Sequence, residues 1–399
     1  MDTRQIVILG STGSVGQQAL AVVREHPGEF RILGIGAGGG QIDILAKQIV
    51  EFQPEVVAIA KEESLPEIHA AVRDVLAAQG LRTGEFSSPQ YLSGNQAIEE
   101  LAKMSCDVVL NSITGAVGLK ATLATLRSGN LLALANKESL IIGGELVTRE
   151  ARPGQIIPVD SEHSALAQAL RGGKESEVKR LIITATGGPF RGMRRAELKN
   201  VTIVQALAHP KWSMGPVISI NSATMVNKGL EVIEAHLLFG IPYANIEVVV
   251  HPEAFIHSMV EFIDGSTIAQ VSPPDMRLPI ALGLKWPERI PHVVPGVDWL
   301  SSHSWSLQPL DKEMGSMVSL ARHVGELGGA APAIYNAANE VCVEAFVSGR
   351  LPFLGIFDVV EQVVQKSTPT VNILTLEDVL EFEALARVSA NELINSRLR

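Results

Sequence analysis

The sequence QIVILGSTGSVG occupies residues 5–16. A short apolar run is followed by three glycines with the spacing G-x-x-G-x-x-G, and residues 15–24 continue with helical periodicity. In a strand–turn–helix unit, glycines let the backbone approach a diphosphate, and the helix N-terminus offers free amides and the positive end of its dipole. The stretch therefore predicts a dinucleotide site; the alternative is a glycine-rich turn needed only for packing.

The alternation of apolar runs and amphipathic stretches continues through the first third of the chain. Further strands are predicted at 31–35, 56–60, 107–111 and 131–135. Continuous Val, Ile and Leu runs bounded by turns are typical of parallel strands covered on both faces. The fold class predicted is α/β, with an N-terminal Rossmann-like, dinucleotide-binding domain over residues 1–153.

The middle of the chain has a different pattern. Strands are predicted at 156–159, 180–184, 217–220 and 247–250, and Asp264-Gly265 is a hairpin signal between 259–263 and 267–271. These elements predict a central α+β domain over 154–285, which contains the candidate carboxylate site described below. Prolines are frequent from 272 to 309, which predicts an extended connection, with a linker at 286–312. Helices predicted at 331–347, 353–365 and 376–394 form a C-terminal helical domain over 313–399.

The composition excludes several classes of protein. The chain has 399 residues and a net charge of −10, so it is a poor general binder of nucleic acid or anionic membrane. Hydrophobic residues make up 46% and charged residues 19%, as in folded globular proteins. Two cysteines exclude a disulfide framework and fit a reducing compartment. We expect a cytoplasmic protein without membrane or nucleic-acid partners.

Carboxylates mark a second candidate site. Asp160 and Glu162 follow the strand predicted at 156–159, and an extended backbone would point both the same way. Two carboxylates without a basic neighbour repel each other, which a divalent cation relieves; oxygen ligands favour Mg²⁺ or Mn²⁺. Glu231 lies on one helix face with Asn227 and Lys228 and could be a third ligand. The alternatives are an exposed acidic turn and a solvated polar helix face.

Three other segments look like parts of a site. Asn136-Lys137-Glu138-Ser139 follows the fifth predicted strand, and residues 184–190 end a strand with hydroxyls and glycines. Residues 209–215 form a loop with large apolar side chains, which is typical of a mobile lid. The alternatives are a helix start, a simple turn and a loop anchored by Trp212.

Together these motifs resemble the 1-deoxy-D-xylulose 5-phosphate reductoisomerase family along essentially the whole chain. The matching motifs are GSTGSVG (10–16), LANKES (134–139), PVDSEHSA (158–165), TATGGPF (184–190), HPKWSMG (209–215), SATMVNKGLEVIEAHLLF (222–239), HPEAFIHSMVEF (251–262) and NAANEV (336–341). The resemblance implies metal-dependent rearrangement of the substrate and its NADPH-dependent reduction to 2-C-methyl-D-erythritol 4-phosphate in non-mevalonate isoprenoid biosynthesis. It also implies a homodimer.

The resemblance implies a role for each matching residue. The NADPH site would comprise Thr12, Gly13, Ser14, Val15, Gly38, Gly39, Gly40, Asn136, Glu138 and Gly215. The metal, Mg²⁺ or Mn²⁺, would be held by Asp160, Glu162 and Glu231. The substrate would be bound by those two glutamates and by Lys137, Ser161, Thr186, His209, Ser222, Asn227 and Lys228, with Lys137, Glu162 and His209 catalytic. Trp212 and Met214 would form a flap.

The chain departs from the family pattern at two places. Thr186 stands where relatives usually have Ser, which keeps the hydroxyl. Gly39-Gly40 replaces a basic residue and Asn that help to recognise the 2′-phosphate, so a weaker preference for NADPH over NADH is expected. The alternatives to the reductoisomerase reaction are another NADP-dependent sugar-phosphate oxidoreductase and a non-catalytic dinucleotide sensor.

Overall fold

The computed structural model describes residues 3–80, 86–211, 215–367 and 375–397. The chain forms two compact units. The first comprises Met1–Asn136, Glu150–Asp160 and Met276–Val294, and the second comprises Lys137–Arg149, Ser161–Asp275 and Pro295–Arg399.

A parallel sheet of seven strands forms the first unit. The strands are β1 (Arg4–Leu9), β2 (Phe30–Ala37), β3 (Val56–Ile59), β4 (Gln90–Ser93), β5 (Val108–Asn111), β6 (Leu131–Leu134) and β7 (Ile156–Pro158). Their spatial order is β4-β3-β2-β1-β5-β6-β7, and all neighbours are parallel. The order reverses at β1, as in doubly wound sheets. The Rossmann-like prediction is confirmed, although β4 was missed because it lacks a continuous apolar run.

Helices cover both faces of this sheet. They are α1 (Ser14–Glu25), α2 (Ile42–Phe52), α3 (Leu65–Ala78), α4 (Ala97–Ala102), α5 (Leu119–Ser128) and α11 (Arg277–Lys285). Along β1, Ile6 and Ile8 pack in one buried cluster, whereas Val7 and Leu9 pack in another. Since successive side chains of a strand point to opposite faces, this continuous apolar run is what a sheet covered on both sides requires.

Helix α11 corrects the prediction of an extended chain from 272 to 309. Its Ile280, Ala281 and Leu284 side chains belong to the buried cluster of Ile6 and Ile8. The prediction took the frequent prolines as evidence against a helix. Pro279, however, lies near the start of α11, where a missing N–H costs little.

The second unit contains a mixed sheet of five strands. They are β8 (Val178–Ala185), β9 (Ile246–Val250), β10 (Ile256–Phe262), β11 (Thr267–Val271) and β12 (Gln308–Pro309), in the order β11-β10-β8-β9-β12. β8 and β9 are parallel and the other neighbours antiparallel. The predicted hairpin is confirmed: Gly265 has a φ of 88°, and Asp264 accepts a 2.9 Å hydrogen bond from the Ser266 amide.

Nine helices complete the described part of the second unit. They are α6 (Lys137–Glu150, whose last residue belongs to the first unit), α7 (Ser161–Leu170), α8 (Ile203–Leu207), α9 (Pro216–Ala223), α10 (Val226–Phe239), α12 (Ser316–Leu327), α13 (Ala331–Val347), α14 (Phe353–Ser367) and α15 (Leu376–Arg397). The last four confirm the predicted helical C-terminal region. The strand predicted at 217–220 is wrong, because these residues lie in α9. Among the described residues, no helix has the length and apolar character needed to span a membrane.

Candidate active site

The glycine-rich turn lies in the first unit between β1 and α1. Gly13 is the N-cap of α1 and has no side chain to cap it, so amides at the helix start are left for a ligand. An ideal Cβ at Gly16 would lie 2.3 Å from the Gly10 carbonyl oxygen, so glycine is required for this close packing. The residues expected to line a diphosphate differ in exposure: Thr12 is buried, Gly13 and Val15 are partly exposed, and Ser14 is exposed.

The second glycine-rich turn follows β2. Gly39 has a φ of 93°, and an ideal Cβ there would lie 2.9 Å from the Ser64 hydroxyl oxygen. A larger residue is therefore disfavoured both by backbone conformation and by space. An ideal Cβ at Gly38 or Gly40 would meet no described atom within 4 Å. This packing gives a physical reason for the glycine at position 39.

Asn136 lies in the first unit, just after β6, which is the sixth strand rather than the fifth. Its side-chain amide donates to the Gly115 carbonyl at 2.8 Å and to the Ile113 carbonyl. The residue is 2% exposed. Asn136 therefore holds the loop at 113–115 in place, and any contact it makes with a cofactor is combined with this structural role.

In the second unit, four polar residues from α6 and α10 meet. Lys137 at the start of α6 donates from its ammonium to Asn227 Oδ1 and Glu231 Oε1, each at 3.2 Å. Asn227 Nδ2 also donates to Glu231 Oε1 at 2.5 Å. Asn227, Lys228 and Glu231 share one face of α10, as their spacing predicted. Glu138 lies in the first turn of α6.

Glu162 joins this group from α7. The Lys228 ammonium donates to Glu162 Oε1 at 2.7 Å and to Glu231 Oε2 at 2.5 Å. Ser161 donates its hydroxyl to Glu162 Oε2 at 2.5 Å. Ser161 begins the helix, so Asp160 and Glu162 do not share the extended segment that the sequence predicted; Asp160 directly precedes α7.

The electrostatics of this group centre on Lys228. Glu231 is 0% exposed and Lys228 is 5% exposed. Burial alone lowers the pKa of a lysine, but the carboxylates of Glu162 and Glu231 outweigh it, and the pKa of Lys228 is raised. The ammonium is retained, and it occupies the space between two carboxylates whose oxygens lie within 4.8 Å of each other.

A buried pair that the sequence did not reveal, His163 and Glu234, contacts the backbone of this group at Glu231. His163 Nε2 lies 2.8 Å from the backbone carbonyl of Glu231, and Nδ1 lies 3.2 Å from Glu234 Oε2. Both side chains are fully buried. A carbonyl oxygen only accepts, so Nε2 carries a proton and donates. In the sequence, His163 is marked only by its position beside Glu162.

A second polar group lies at the end of β8. Thr186 Oγ1 and His209 Nε2 are 3.0 Å apart. Burial lowers the pKa of the His209 imidazole, so the ring is neutral at pH 7. At Gly188, with a φ of 65°, an ideal Cβ would lie 2.8 Å from the Ser222 carbonyl oxygen, so this turn packs directly on the end of α9.

An open cavity of about 920 Å³ adjoins this group and is lined by Thr186, Gly188 and Lys211, among others. Gly215 is the N-cap of α9. Trp212 and Met214, the two residues expected to form a flap, lie outside the described residues. The Thr186 hydroxyl and the Lys211 side chain of this lining can interact with an anionic ligand.

Three family models match successive parts of the chain. The model described as 1-deoxy-D-xylulose 5-phosphate reductoisomerase matches residues 6–144. The model of that enzyme's C-terminal domain matches 156–239, and one described as DXP reductoisomerase C-terminal domain matches 271–389.

Curated relatives match over nearly full length. The 1-deoxy-D-xylulose 5-phosphate reductoisomerase of Streptomyces coelicolor is 55% identical over 98% of this chain and 92% of its own length. The same enzyme of Streptomyces avermitilis is 56% identical, with 97% of each chain covered.

Solved structures agree with these matches. The reductoisomerase of Zymomonas mobilis in complex with NADPH is 38% identical, with a TM-score of 0.89 over 99% of this chain and 100% of that one. A DOX-P reductoisomerase in complex with NADPH, fosmidomycin and magnesium is 34% identical, with a TM-score of 0.87 over 98% of both chains.

Proposed function

The chain belongs to the 1-deoxy-D-xylulose 5-phosphate reductoisomerase family, and from this premise we propose which of its residues bind the metal, the substrate and the cofactor. It is an NADP-dependent oxidoreductase that acts on 1-deoxy-D-xylulose 5-phosphate, with NADPH and a divalent metal as cofactors. The observation that carries the assignment of roles is the bridge that Lys228 forms between Glu162 and Glu231.

We assign the divalent cation to Asp160, Glu162 and Glu231. The donors are carboxylate oxygens, which suit Mg²⁺ or Mn²⁺. Glu162 and Glu231 already face one shared cationic group, so their geometry suits a shared cation. Asp160 is the last residue before the helix that carries Glu162, and this position in the chain supports its role as third ligand.

When bound, the cation polarises substrate oxygens as a Lewis acid, and NADPH supplies the hydride. Lys137 and Ser161 position the sugar: Lys137 is held by Asn227 and Glu231, and Ser161 by Glu162. Lys137 and Glu162 are in addition the groups we propose for proton relay and charge stabilisation at the reacting carbons.

The substrate phosphate is assigned to the second polar group with two residues of α10. Thr186, Ser222, Asn227 and Lys228 bind its oxygens together with His209. Nδ1 of His209 accepts from the Lys211 amide, so the neutral imidazole donates from Nε2 to Thr186, whose hydroxyl can then donate to the phosphate. Lys228 supplies charge. Because these contacts to the phosphate are remote from the bonds that change in the reaction, their binding energy serves to orient the substrate.

NADPH is assigned to the two glycine-rich turns of the first unit. Thr12, Gly13, Ser14 and Val15 line the diphosphate at the start of α1, and Gly38, Gly39 and Gly40 approach the adenosine end. Asn136, Glu138 and Gly215 border the cofactor. The flap role of Trp212 and Met214 rests on the family resemblance alone.

The decisive experiment follows absorbance at 340 nm with purified protein, 1-deoxy-D-xylulose 5-phosphate, Mg²⁺ or Mn²⁺, and NADPH or NADH in parallel. We expect metal-dependent oxidation of NADPH, and the NADH reaction measures what Gly39-Gly40 does to cofactor preference. Oxidation that survives a chelator would favour a metal-independent oxidoreductase. Folded protein that binds NADPH and oxidises none would favour a dinucleotide sensor.

We further propose that the protein is a homodimer in the cytoplasm. The dimer follows from the family resemblance, and sedimentation equilibrium tests it directly. The location is supported by two free cysteines, Cys106 and Cys342, which suit a reducing compartment. Fractionation of the native cell tests that location.

A further inference from the structure

The motif NAANEV at residues 336–341 contributes no residue to the site described above, yet one of its side chains reaches an element of that site. Asn339 lies in α13 and is fully buried. Its Nδ2 donates a 2.9 Å hydrogen bond to Oδ1 of Asn221 in α9. Asn221 is 3% exposed. The bond therefore joins two helices through a buried pair of amides.

Asn221 directly precedes Ser222, near the C-terminal end of α9. This helix has eight residues, Pro216–Ala223. A helix of two turns is not stable by itself in water, so its position depends on tertiary contacts. Ser222 has its own close contact there, because Gly188 packs on its carbonyl oxygen. A small rotation of α9 about its axis would displace the Ser222 hydroxyl together with the carbonyl oxygen on which Gly188 packs.

The amide pair differs from ordinary core packing. Oδ1 of Asn339 is buried and has no hydrogen-bond partner among the described residues. Such a group carries a desolvation cost that a leucine or alanine would avoid. A hydrogen bond also has a preferred direction, so it fixes the rotation of a helix in a way that an apolar contact does not.

We propose that Asn339 is a positioning residue that acts through Asn221 to hold the Ser222 hydroxyl where the substrate phosphate binds. The inference rests on the phosphate role proposed above for Ser222. It extends that role to the C-terminal helices, to which we assign no phosphate ligand.

The test compares Asn339→Leu, which keeps the volume, with Asn339→Ala and with Asn221→Leu on the other side of the bond. For each, KM and kcat for 1-deoxy-D-xylulose 5-phosphate, the Kd of NADPH from fluorescence quenching, and the Tm are measured. We expect KM to rise about tenfold, as for one lost hydrogen bond, with kcat changed less than about threefold. The Kd of NADPH should stay unchanged.

Asn336→Ala is the matched control. Asn336 lies in the same motif, is 1% exposed, and bonds to Glu340 at 3.0 Å within α13. Asn336→Ala should lower the Tm by about as much as Asn339→Leu does, but it should not raise KM. A KM that rises equally in this control would show a general loss of stability and overturn the proposal.

A double-mutant cycle separates this proposal from the role of Ser222. Ser222→Ala combined with Asn339→Leu should raise KM no more than Ser222→Ala alone, because both changes remove the same contact. If Ser222→Ala raises KM and Asn339→Leu does not, or if the two effects multiply, the positioning role is overturned. If Ser222→Ala itself leaves KM unchanged, the phosphate role of Ser222 fails and the positioning role with it.

Discussion

Lys228 has one ammonium group and two tasks. In the structure it neutralises Glu162 and Glu231, and the family resemblance assigns it to the substrate phosphate. The two tasks are compatible if a divalent cation takes over the carboxylates, because this frees the ammonium to move toward an anion. Lys228 would then couple metal binding to phosphate binding.

This coupling can be measured with Lys228→Met, which keeps most of the side-chain volume. KM for the phosphorylated substrate should rise by tenfold or more, since a charge-assisted contact is lost, roughly 1.5–3 kcal/mol. The concentration of Mn²⁺ for half-maximal activity should fall, because the carboxylates lose a competing cation. Lys199→Met, at an exposed lysine of the second unit, is the control. An unchanged KM would remove Lys228 from the phosphate site.

Glu231 accepts hydrogen bonds from the side chains of Lys137, Asn227 and Lys228. Glu231→Gln keeps the shape but removes the charge, so turnover should fall about a hundredfold or more through weaker metal binding. The Kd of NADPH should be nearly unchanged, because the glycine-rich turns lie in the other unit. Steady-state rates over a Mn²⁺ titration and fluorescence quenching by NADPH provide the two readouts. Normal turnover in this variant would exclude Glu231 as a ligand.

At the scale of elements, α9 shows where sequence patterns are ambiguous. Residues 217–220 read Val-Ile-Ser-Ile, and a short apolar run does not distinguish a strand from a buried helix. Pro216 at the first helical position is a signal for a helix that the prediction did not use. Contacts between residues far apart in the sequence, such as Asn221 with Asn339, decide between helix and strand here. A local sequence pattern carries no information about such contacts.

The glycine at position 229 in helix α10 is explained by packing and not by helix propensity. Gly229 lies within the helix, where glycine costs about 1 kcal/mol relative to alanine. An ideal Cβ at this position would lie 2.7 Å from Ala321 Cβ and 3.0 Å from the Met317 carbonyl oxygen. The close approach of α12 therefore requires glycine next to Lys228.

Gly229→Ala should lower stability despite the better helix propensity. Overpacking costs about 1–3 kcal/mol, and the propensity gain of roughly 1 kcal/mol offsets only part of it. The Tm should fall by a few degrees and KM should rise, because α10 must move away from α12. Gly296→Ala, at a glycine where an ideal Cβ has no neighbour within 4 Å, should leave both values unchanged. A stabilised Gly229→Ala protein would show that the helices can separate freely.

At the scale of the whole molecule, the sequence predicted the parallel sheet, the hairpin and the helical C-terminal region. It also predicted the group on α10, because i and i+4 spacing places Asn227 and Glu231 on one face. It did not predict the pairs His163 with Glu234 or Asn221 with Asn339, whose members are 71 and 118 residues apart. Such contacts depend on tertiary packing, and a single sequence holds no periodicity that reveals them.

Stability of the C-terminal helices should depend on pH through Glu383 in α15. This carboxyl is 5% exposed, and burial raises its pKa to about 7 from an ordinary 4.5. Between these values the folded state holds a proton that the unfolded state has lost. The free energy of unfolding therefore falls as pH rises from 4.5 through 7, by up to about 3 kcal/mol.

Glu383→Gln should remove most of this dependence. Urea unfolding followed by circular dichroism at pH 5 and pH 8 compares the variant with the parent chain. We expect the loss of stability between the two pH values to be smaller in Glu383→Gln. Glu377→Gln, at an exposed glutamate of the same helix, should behave like the parent. Equal losses in all three proteins would mean that Glu383 is charged in the folded state throughout.

Helix α11 also has a consequence for how the protein is made. Its Ile280 and Leu284 complete the buried cluster of β1, and Arg4 donates to the Leu284 carbonyl at 3.2 Å. The first unit therefore contains chain from both sides of a long insertion, and its last segment ends at Val294. During translation, the nucleotide-binding core begins with the first strand but lacks part of its packing until the ribosome has added those late residues. Until then the apolar residues that pack on α11 stay exposed, and transiently exposed apolar surface makes a nascent chain prone to aggregate.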